Sequence, residues 1–413
     1  MKIQLIHPPH TNSTDDRLDP PLGLLLIASY LKANCPDVDV SVYDASGRNT
    51  VHIPDADIYG FTTYATSMEF TKHFADICTA KNPNCKIVVG GPQPSALPDL
   101  FSYADHVVIG EGEEAMEKIV NGTTDRIVKS DRLSSPDLFP SFDLVDTESY
   151  HRRIEGNRSL PILTTRGCPF KCAFCGMNRM HELGGVRLGS PRKIADNIAK
   201  IQNDFGIKAI AFQDDMFTLN RTRLFELLEL LKPLNIKFRC MGRSGYDVEE
   251  VYEKLAEAGC VQIAWGIESG SKKMLDLMNK QSTVQDNYNV IKWAKKYGIT
   301  SRAFFIIGFP GETKETIKET MNFIEKADPD QYFVSNFVPY PGCLVWKNPT
   351  KYGIVDMSTD FNQYYQVSKD GTGGITISTK WLTKERFREL EIEFRTWIKN
   401  RPMRGSLLDY ERK

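Results

Sequence analysis

The sequence predicts an α/β protein of two parallel-sheet units in series: a doubly wound sheet, then a partial (β/α)6 barrel, then a short helical tail. Three observations carry that reading. Short apolar runs alternate with segments of helical periodicity through most of the 413 residues. Nearly every apolar run stops at glycine, proline, threonine or aspartate, residues that turn a chain. One polar stretch, 126–159, broken by Pro136 and Pro140, interrupts the alternation. It divides the chain into a first domain over 1–125, a linker over 126–159, a barrel over 160–345 and a helical extension over 346–413.

In the first domain, strands are expected at 3–6, 38–43, 58–61, 85–89 and 106–109. They end at His7-Pro8-Pro9, Asp44, Thr62-Thr63, Gly90-Gly91-Pro92 and Gly110-Glu111-Gly112. Helices fall between them at 22–33, 70–81 and 113–120, the first apolar almost all round, as packing against a sheet requires. Such alternation implies a parallel sheet with its ligand crevice outside the carboxyl ends of the strands. The glycine and hydroxyl residues there let backbone approach a bulky ligand.

In the barrel, the run 160–167 is a buried strand ending at a glycine. Further strands are expected at 209–212, 238–241, 260–265, 302–307 and 331–338, with helices at 191–203, 221–231, 248–258, 284–297 and 314–326. The strands close at Gln213-Asp214-Asp215, Arg243, Gly266-Ile267-Glu268, Gly308-Phe309-Pro310-Gly311 and Pro339, so one rim gathers carboxylates, an arginine and open backbone. That rim is where a β/α barrel keeps its chemistry. Residues 383–400 carry Phe387, Leu390, Phe394, Trp397 and Ile398 at helical spacing, a stripe for packing.

Composition excludes several classes. A net charge of −1 argues against a broad nucleic-acid surface. No run of about 18 apolar residues occurs, so no membrane helix is expected. The first seven residues read as a strand rather than a signal peptide, and nine cysteines are then metal ligands and buried thiols rather than disulfides. A reducing, cytoplasmic setting follows.

Cys168, Cys172 and Cys175 carry the sharpest signal, three thiols within eight residues on the loop after a core strand. A cubane of four irons takes one thiolate per iron, so three cysteines leave one iron open, the mark of a reactive site. The bland alternative is a structural zinc knuckle with His181 as a fourth ligand, though the spacing departs from the usual paired Cys-x-x-Cys.

The run Cys168-Pro169-Phe170-Lys171-Cys172-Ala173-Phe174-Cys175 resembles the cluster loop of the radical SAM superfamily. The resemblance implies a 4Fe-4S cluster whose open iron chelates S-adenosylmethionine, and reductive cleavage of that ligand to a 5′-deoxyadenosyl radical. It further implies that Asp214 and Asp215 engage the ligand's amino group, although relatives often have two glycines and a glutamate there. Arg243 would meet the carboxylate, its paired donors matching the two oxygens. Glu268 would accept from ribose hydroxyls or the amino group, and backbone at Phe174, Ile307 and Gly308 would flank the adenine. The plain alternatives are a rim salt bridge between Arg243 and Glu268, and a helix cap at the two aspartates.

Pro20-Pro21-Leu22-Gly23, Gly90-Gly91-Pro92 and Gly110-Glu111-Gly112 resemble the Rossmann-like cobalamin-binding domain that precedes many radical SAM barrels. Pro21, Gly23, Thr62, Thr63, Gly90, Gly91, Pro92, Gly110, Glu111 and Gly112 are the implied contacts. No Asp-x-His-x-x-Gly run is present and Gln93 stands where many relatives have histidine, so cobalamin is expected to bind without protein nitrogen on its lower face. An empty platform is the alternative.

The resemblance as a whole implies methyl transfer, ring closure or rearrangement on a small molecule, with electrons from a flavodoxin- or ferredoxin-type donor. A methylthiotransferase acting on tRNA or protein shares the Gly-Ile-Glu-Ser-Gly strand end, but it should carry three cluster cysteines in its first domain. Cys35, Cys78 and Cys85 are spread wrongly for that. A non-catalytic cluster- or zinc-bearing protein is the third reading. Cys240 and Cys260 read as buried thiols. Cys343 is held open as a thiol facing substrate, and Tyr340, Trp346, Tyr352, Phe361, Tyr364 and Tyr365 as a cover for the barrel mouth.

Overall fold

The computed structural model describes residues 1–10, 15–47, 52–130, 136–176, 185–367, 371–401 and 403–404. It forms two compact units, the first ending its main run at His151 and the second beginning at Arg152.

The first unit is a six-stranded parallel sheet of β1 (Lys2–His7), β2 (Asp39–Asp44), β3 (Ile58–Thr62), β4 (Lys86–Gly90), β5 (His106–Ile109) and β6 (Ile127–Lys129), ordered 2-1-3-4-5-6. Both faces are buried. Ile3, Leu5 and Val88 pack with the helix Leu22–Asn34 on one side; Ile6, Phe61 and Val89 pack with Met68–Lys81 on the other. Strands buried on both faces need continuous rather than alternating apolar runs, as these have.

The structure corrects the expected linker. Residues 127–129 form β6, paired with β5 from Val107↔Ile127 onward. Phe142 is fully buried, and the buried Tyr150 donates its hydroxyl to Asp44 Oδ2 at 2.7 Å. Three residues of strand are too short to show a period, and isolated aromatics in a polar stretch give no pattern.

The second unit is a curled sheet ordered 15-14-13-12-11-8-7. Its strands are β7 (Arg153–Ile154), β8 (Asn157–Ile162), β11 (Ala209–Phe212), β12 (Lys237–Gly242), β13 (Cys260–Glu268), β14 (Thr300–Ile307) and β15 (Gln331–Asn336). The last six named are parallel, and β7 is an antiparallel edge on β8. A two-stranded ribbon, β9 (Thr165–Arg166) with β10 (Arg187–Leu188), follows β8 in sequence. The helices match the periodicity: Pro191–Phe205, Arg221–Leu231, Glu249–Glu257, Val284–Lys296 and Lys314–Ala327. Thr283 and Thr313 cap the last two with their hydroxyls. The extension is only partly helical. β16 (Ile354–Met357) and β17 (Ile377–Thr379) form an antiparallel pair before the helix Lys384–Lys399, a long-range pairing with no local signal.

Candidate functional site

The cysteine loop leaves β8 through Thr164 and Thr165, and one carboxylate fixes that exit. Asp214 Oδ1 accepts from Thr164 N at 2.9 Å, Thr164 Oγ1 at 3.0 Å and Thr165 Oγ1 at 2.7 Å, and also from Thr165 N. Asp214 is wholly buried, and its other oxygen, Oδ2, has no hydrogen-bond partner. The cap alternative fails here: Asn220, not either aspartate, accepts from Arg223 N at the start of Arg221–Leu231. Further along, Ala173 N donates to Met278 O at 2.8 Å, and Asn279 Nδ2 donates to Lys171 O at 2.8 Å. The loop is thus pinned at both ends.

These pins bring Cys168, Cys172 and Cys175 to one cavity of about 410 Å³, within the range of small-ligand sites. Phe174, Asp214, Asp215, Arg243 and Glu268 line the same cavity. Ile307 and Gly308 do not. Strand side chains alternate, and β14 turns Phe304 and Ile306 to the cavity, so Ile307 is buried on the other side. Gly308, at φ +79°, lies against the Phe387 ring, which a Cβ there would meet at 2.4 Å, and its N–H donates to Glu312.

Among the described residues Arg243 and Glu268 form no bridge to one another; each has its own partner. Arg243 Nη1 donates to Cys172 Sγ at 3.4 Å, Nη2 donates to Lys280 O, and the guanidinium stacks on Phe170 at 3.7 Å. Glu268 pairs with Lys280 Nζ at 2.8 Å, both side chains less than a tenth exposed. Glu268 has φ +63° at an irregularity between Gly266 and Glu268 in the β13–β14 pairing. A non-glycine residue held in that region marks a constrained position. Its carboxylate folds back over Gly266, where a Cβ would sit 2.0 Å from Oε1, so any larger residue there would displace the Glu268–Lys280 pair. Lys280, Phe170, Phe304, Phe333, Ser335 and Gln366 line the cavity unforeseen. Phe170 stood inside the cysteine motif and was the one that sequence could have offered.

Burial sets the electrostatics. It pushes the Cys168 thiol up, against the pull of Arg243. It raises the Asp214 carboxyl, and it raises Asp215 to about 6, with the neighbouring Asp214 adding to the effect. A metal would ionise the thiol outright. Three thiols on one cavity fit an iron–sulfur cluster. A tetrahedral zinc site would bring sulfurs to within about 4 Å of each other. Among the described residues no three His, Cys, Asp or Glu groups gather closely enough for a single ion. His181 lies outside the described residues.

Cys343 is fully buried, accepts from Trp346 N at 3.3 Å and is pushed up to about 11 by burial, so it is a core thiol and not one facing substrate. Trp346, Phe361 and Tyr364 pack on one another with ring centres 5.0–6.1 Å apart. In the first unit, Cys35 lies in one core and Cys78 and Cys85 in the other, which separates them across the sheet.

The expected cobalamin contacts gather at the carboxyl ends of the first sheet. Thr63 N donates to Gly90 O at 2.8 Å and Gln93 N to Thr63 O at 3.2 Å. Gly91 has φ +103°, and a Cβ there would meet Thr63 backbone at 3.0 Å. Gly112 lies on Ile27 and Gly110 N donates to Ser95 Oγ, while Gly23 faces open space. Pro21 caps the helix Leu22–Asn34, Pro92 opens the short helix after β4, and Thr62 and Glu111 stand at the ends of β3 and β5. Gln93 is buried with its Nε2 unpartnered, a polar atom aimed at no protein acceptor.

The radical SAM superfamily profile matches residues 162–324, and the B12 binding domain profile matches 18–120. An uncharacterized methyltransferase of Pyrococcus horikoshii is 30% identical, the match covering 84% of this chain and 83% of the relative. The anaerobic magnesium-protoporphyrin IX monomethyl ester cyclase of Rubrivivax gelatinosus is 26% identical over 83% of this chain and 68% of its own. Among solved structures, the radical S-adenosylmethionine methyltransferase TsrM from Kitasatospora setae, with cobalamin and a [4Fe-4S] cluster bound, superposes with a TM-score of 0.70. That match has 15% identity over 98% of this chain and 91% of TsrM, a likeness of fold. The chain belongs to the radical SAM superfamily, as an enzyme that carries a B12-binding domain in sequence before the barrel.

Proposed function

We propose that the chain is a cobalamin-dependent radical SAM methyltransferase acting on an unactivated centre of a small molecule. One observation supports this above the others: three thiols, an unpartnered buried carboxylate oxygen, a guanidinium and a second carboxylate share one cavity. Cys168, Cys172 and Cys175 would hold the cluster, which with S-adenosylmethionine supplies reductive cleavage of a carbon–sulfur bond. Asp214 Oδ2 is the acceptor for the ligand's ammonium, because a buried acceptor left unmatched costs about 1–3 kcal/mol. Arg243 offers donors to the ligand's carboxylate, and its stack on Phe170 fixes the fork. Glu268 accepts from hydroxyls while Lys280 holds it. Met216, Met241, Phe304, Ile306 and Phe333 make much of the remaining wall apolar, with Gln213, Ser335 and Gln366 as its polar groups, so the substrate would meet a mostly apolar surface with a few hydrogen-bonding points. Cobalamin would lie at the ends of β1, β3, β4 and β5, where Gly91 allows close approach and Gln93 Nε2 awaits an acceptor. The electron donor is of flavodoxin or ferredoxin type and the compartment is reducing, in keeping with cysteines that are all free.

The test needs no substrate identity. Protein incubated with hydroxocobalamin and desalted should retain about one per chain. Turnover with a pool of candidate substrates should give 5′-deoxyadenosine and S-adenosylhomocysteine in near-equal amounts. Deoxyadenosine alone would replace methyl transfer by ring closure or rearrangement, and no retained cobalamin would remove the cofactor from the reading.

A further inference from the structure

A second group of titratable rings lies in the first unit, at the end of β1. His7 is the last residue of β1, in register with Asp44 at the end of β2, and His10 follows three positions on. The two imidazoles lie 5.2 Å apart centre to centre. Tyr64, just past β3, stands 4.8 Å from His10 and 6.5 Å from His7 and keeps 39% of its surface exposed. The three rings therefore sit at the carboxyl ends of β1 and β3, the pair between which the order 2-1-3-4-5-6 reverses. A doubly wound sheet of this order opens its ligand crevice at that reversal.

Both imidazoles are suited to donate a lone pair. Burial lowers His7 and takes His10 down to about 4, with the neighbouring His7 adding to the effect on His10. Neutral rings at neutral pH are metal ligands. His7 Nδ1 is buried and has no hydrogen-bond partner. The carboxylates facing the group are Asp44 and Asp16, and each is held from another side. Asp44 accepts from Tyr150 Oη at 2.7 Å and Ser46 N at 3.0 Å; Asp16 accepts from Gly47 N at 3.0 Å. No three His, Cys, Asp or Glu groups among the described residues could hold a free ion. A corrin ring brings four nitrogens of its own, so its cobalt asks the protein for a single axial donor.

We propose that His10 is that donor, an axial imidazole to corrinoid cobalt, with His7 and Tyr64 holding its ring in place. This rests on the cobalamin reading above. It revises the expectation drawn from the missing Asp-x-His-x-x-Gly run, because the histidine reaches the crevice from the end of β1 without that motif.

The test is an electron paramagnetic resonance spectrum of the full chain loaded with cobalamin, desalted and reduced to Co(II). Protein is made with ordinary histidine and again with ¹⁵N-histidine. Coordination by His10 splits each high-field cobalt line in three with ordinary histidine and in two with the label. His10→Phe, which keeps a ring against Tyr64, and His10→Gln should each retain cobalamin and lose the splitting. His73→Phe, on the exposed face of Met68–Lys81, should keep it. Three lines in the labelled protein assign the ligand to the cofactor's own base and overturn the proposal. So do absent nitrogen splitting in the unmodified chain and splitting that survives in both His10 variants. In all of these cobalamin is retained and the cofactor reading stands; an unmodified chain that retains none overturns both.

Discussion

Replacing Lys280 by methionine removes the cation paired with Glu268 and leaves the shape of the side chain nearly unchanged. The pair is 2.8 Å apart, with side-chain exposures of 6% and 7%, so water cannot take over either partner without the wall opening. Breaking a buried pair on one side costs about 3–5 kcal/mol, because a charge is left uncompensated. For a unit of this size each kcal/mol moves the transition by about 2–4 °C, so Lys280→Met should melt roughly 6–20 °C lower. Replacing both partners is a different experiment. Glu268→Leu with Lys280→Met removes both charges and should recover most of the loss, since a matched apolar pair is often as stable as the ion pair. Differential scanning calorimetry of the wild type, both single variants and the double variant closes the cycle. A Lys280→Met transition within 2 °C of the wild type, or a double variant worse than both singles, would refute the reasoning.

Three further outcomes follow from named contacts. Glu312 is buried and raised from 4.5 to about 7, chiefly by burial, with Thr316 and Gly308 as hydrogen-bond donors opposing it. The folded carboxyl thus keeps its proton after the unfolded one has lost it. Stability should fall by roughly 3 kcal/mol as pH rises from about 4.5 through 7, and Glu312→Gln should flatten that fall; parallel denaturation profiles would contradict this. Arg243→Lys keeps the charge and loses the planar fork, so the S-adenosylmethionine concentration for half-maximal deoxyadenosine formation should rise about tenfold with iron per chain unchanged. An unaltered dependence would make Arg243 a prop for Phe170 and Cys172 alone. Gly308→Ala places a methyl against the Phe387 ring at a positive φ, and should lower stability by more than about 1 kcal/mol without lowering cluster content.

Much of this was legible because the chemistry imposes spacing. Three thiols for one cluster must be close in sequence if one loop is to present them, and strand ends announce themselves by glycine and aspartate. Both parallel sheets followed from the alternation, with most helix ends correct to within two residues. What stayed hidden depended on partners far away in the chain. Glu268 was visible at a strand end, but Lys280 comes from a stretch after the next helix and carries no motif. The side-chain lining around Ile307 and Gly308 was equally hidden: pairing with β13 and β15 turns the Phe304 and Ile306 side chains inward, and Phe387, 79 positions on, covers Gly308. Asp214 was read as a ligand contact, yet one of its oxygens ties the cysteine loop to β8, a duty seen only once Thr164 and Thr165 are beside it. The short β6 and the β16–β17 pair show the same limit, since neither is long enough to display a period.

The central claim is that Cys168, Cys172 and Cys175 hold a cluster that cleaves S-adenosylmethionine. Its most direct test is a paired measurement of iron, sulfide and 5′-deoxyadenosine on anaerobically prepared protein under dithionite. About four irons and four sulfides per chain with deoxyadenosine formed, and neither in the Cys168→Ala, Cys172→Ala, Cys175→Ala triple variant, is the predicted result. A triple variant that keeps its iron and sulfide, or a wild type holding one zinc and no iron, would contradict it.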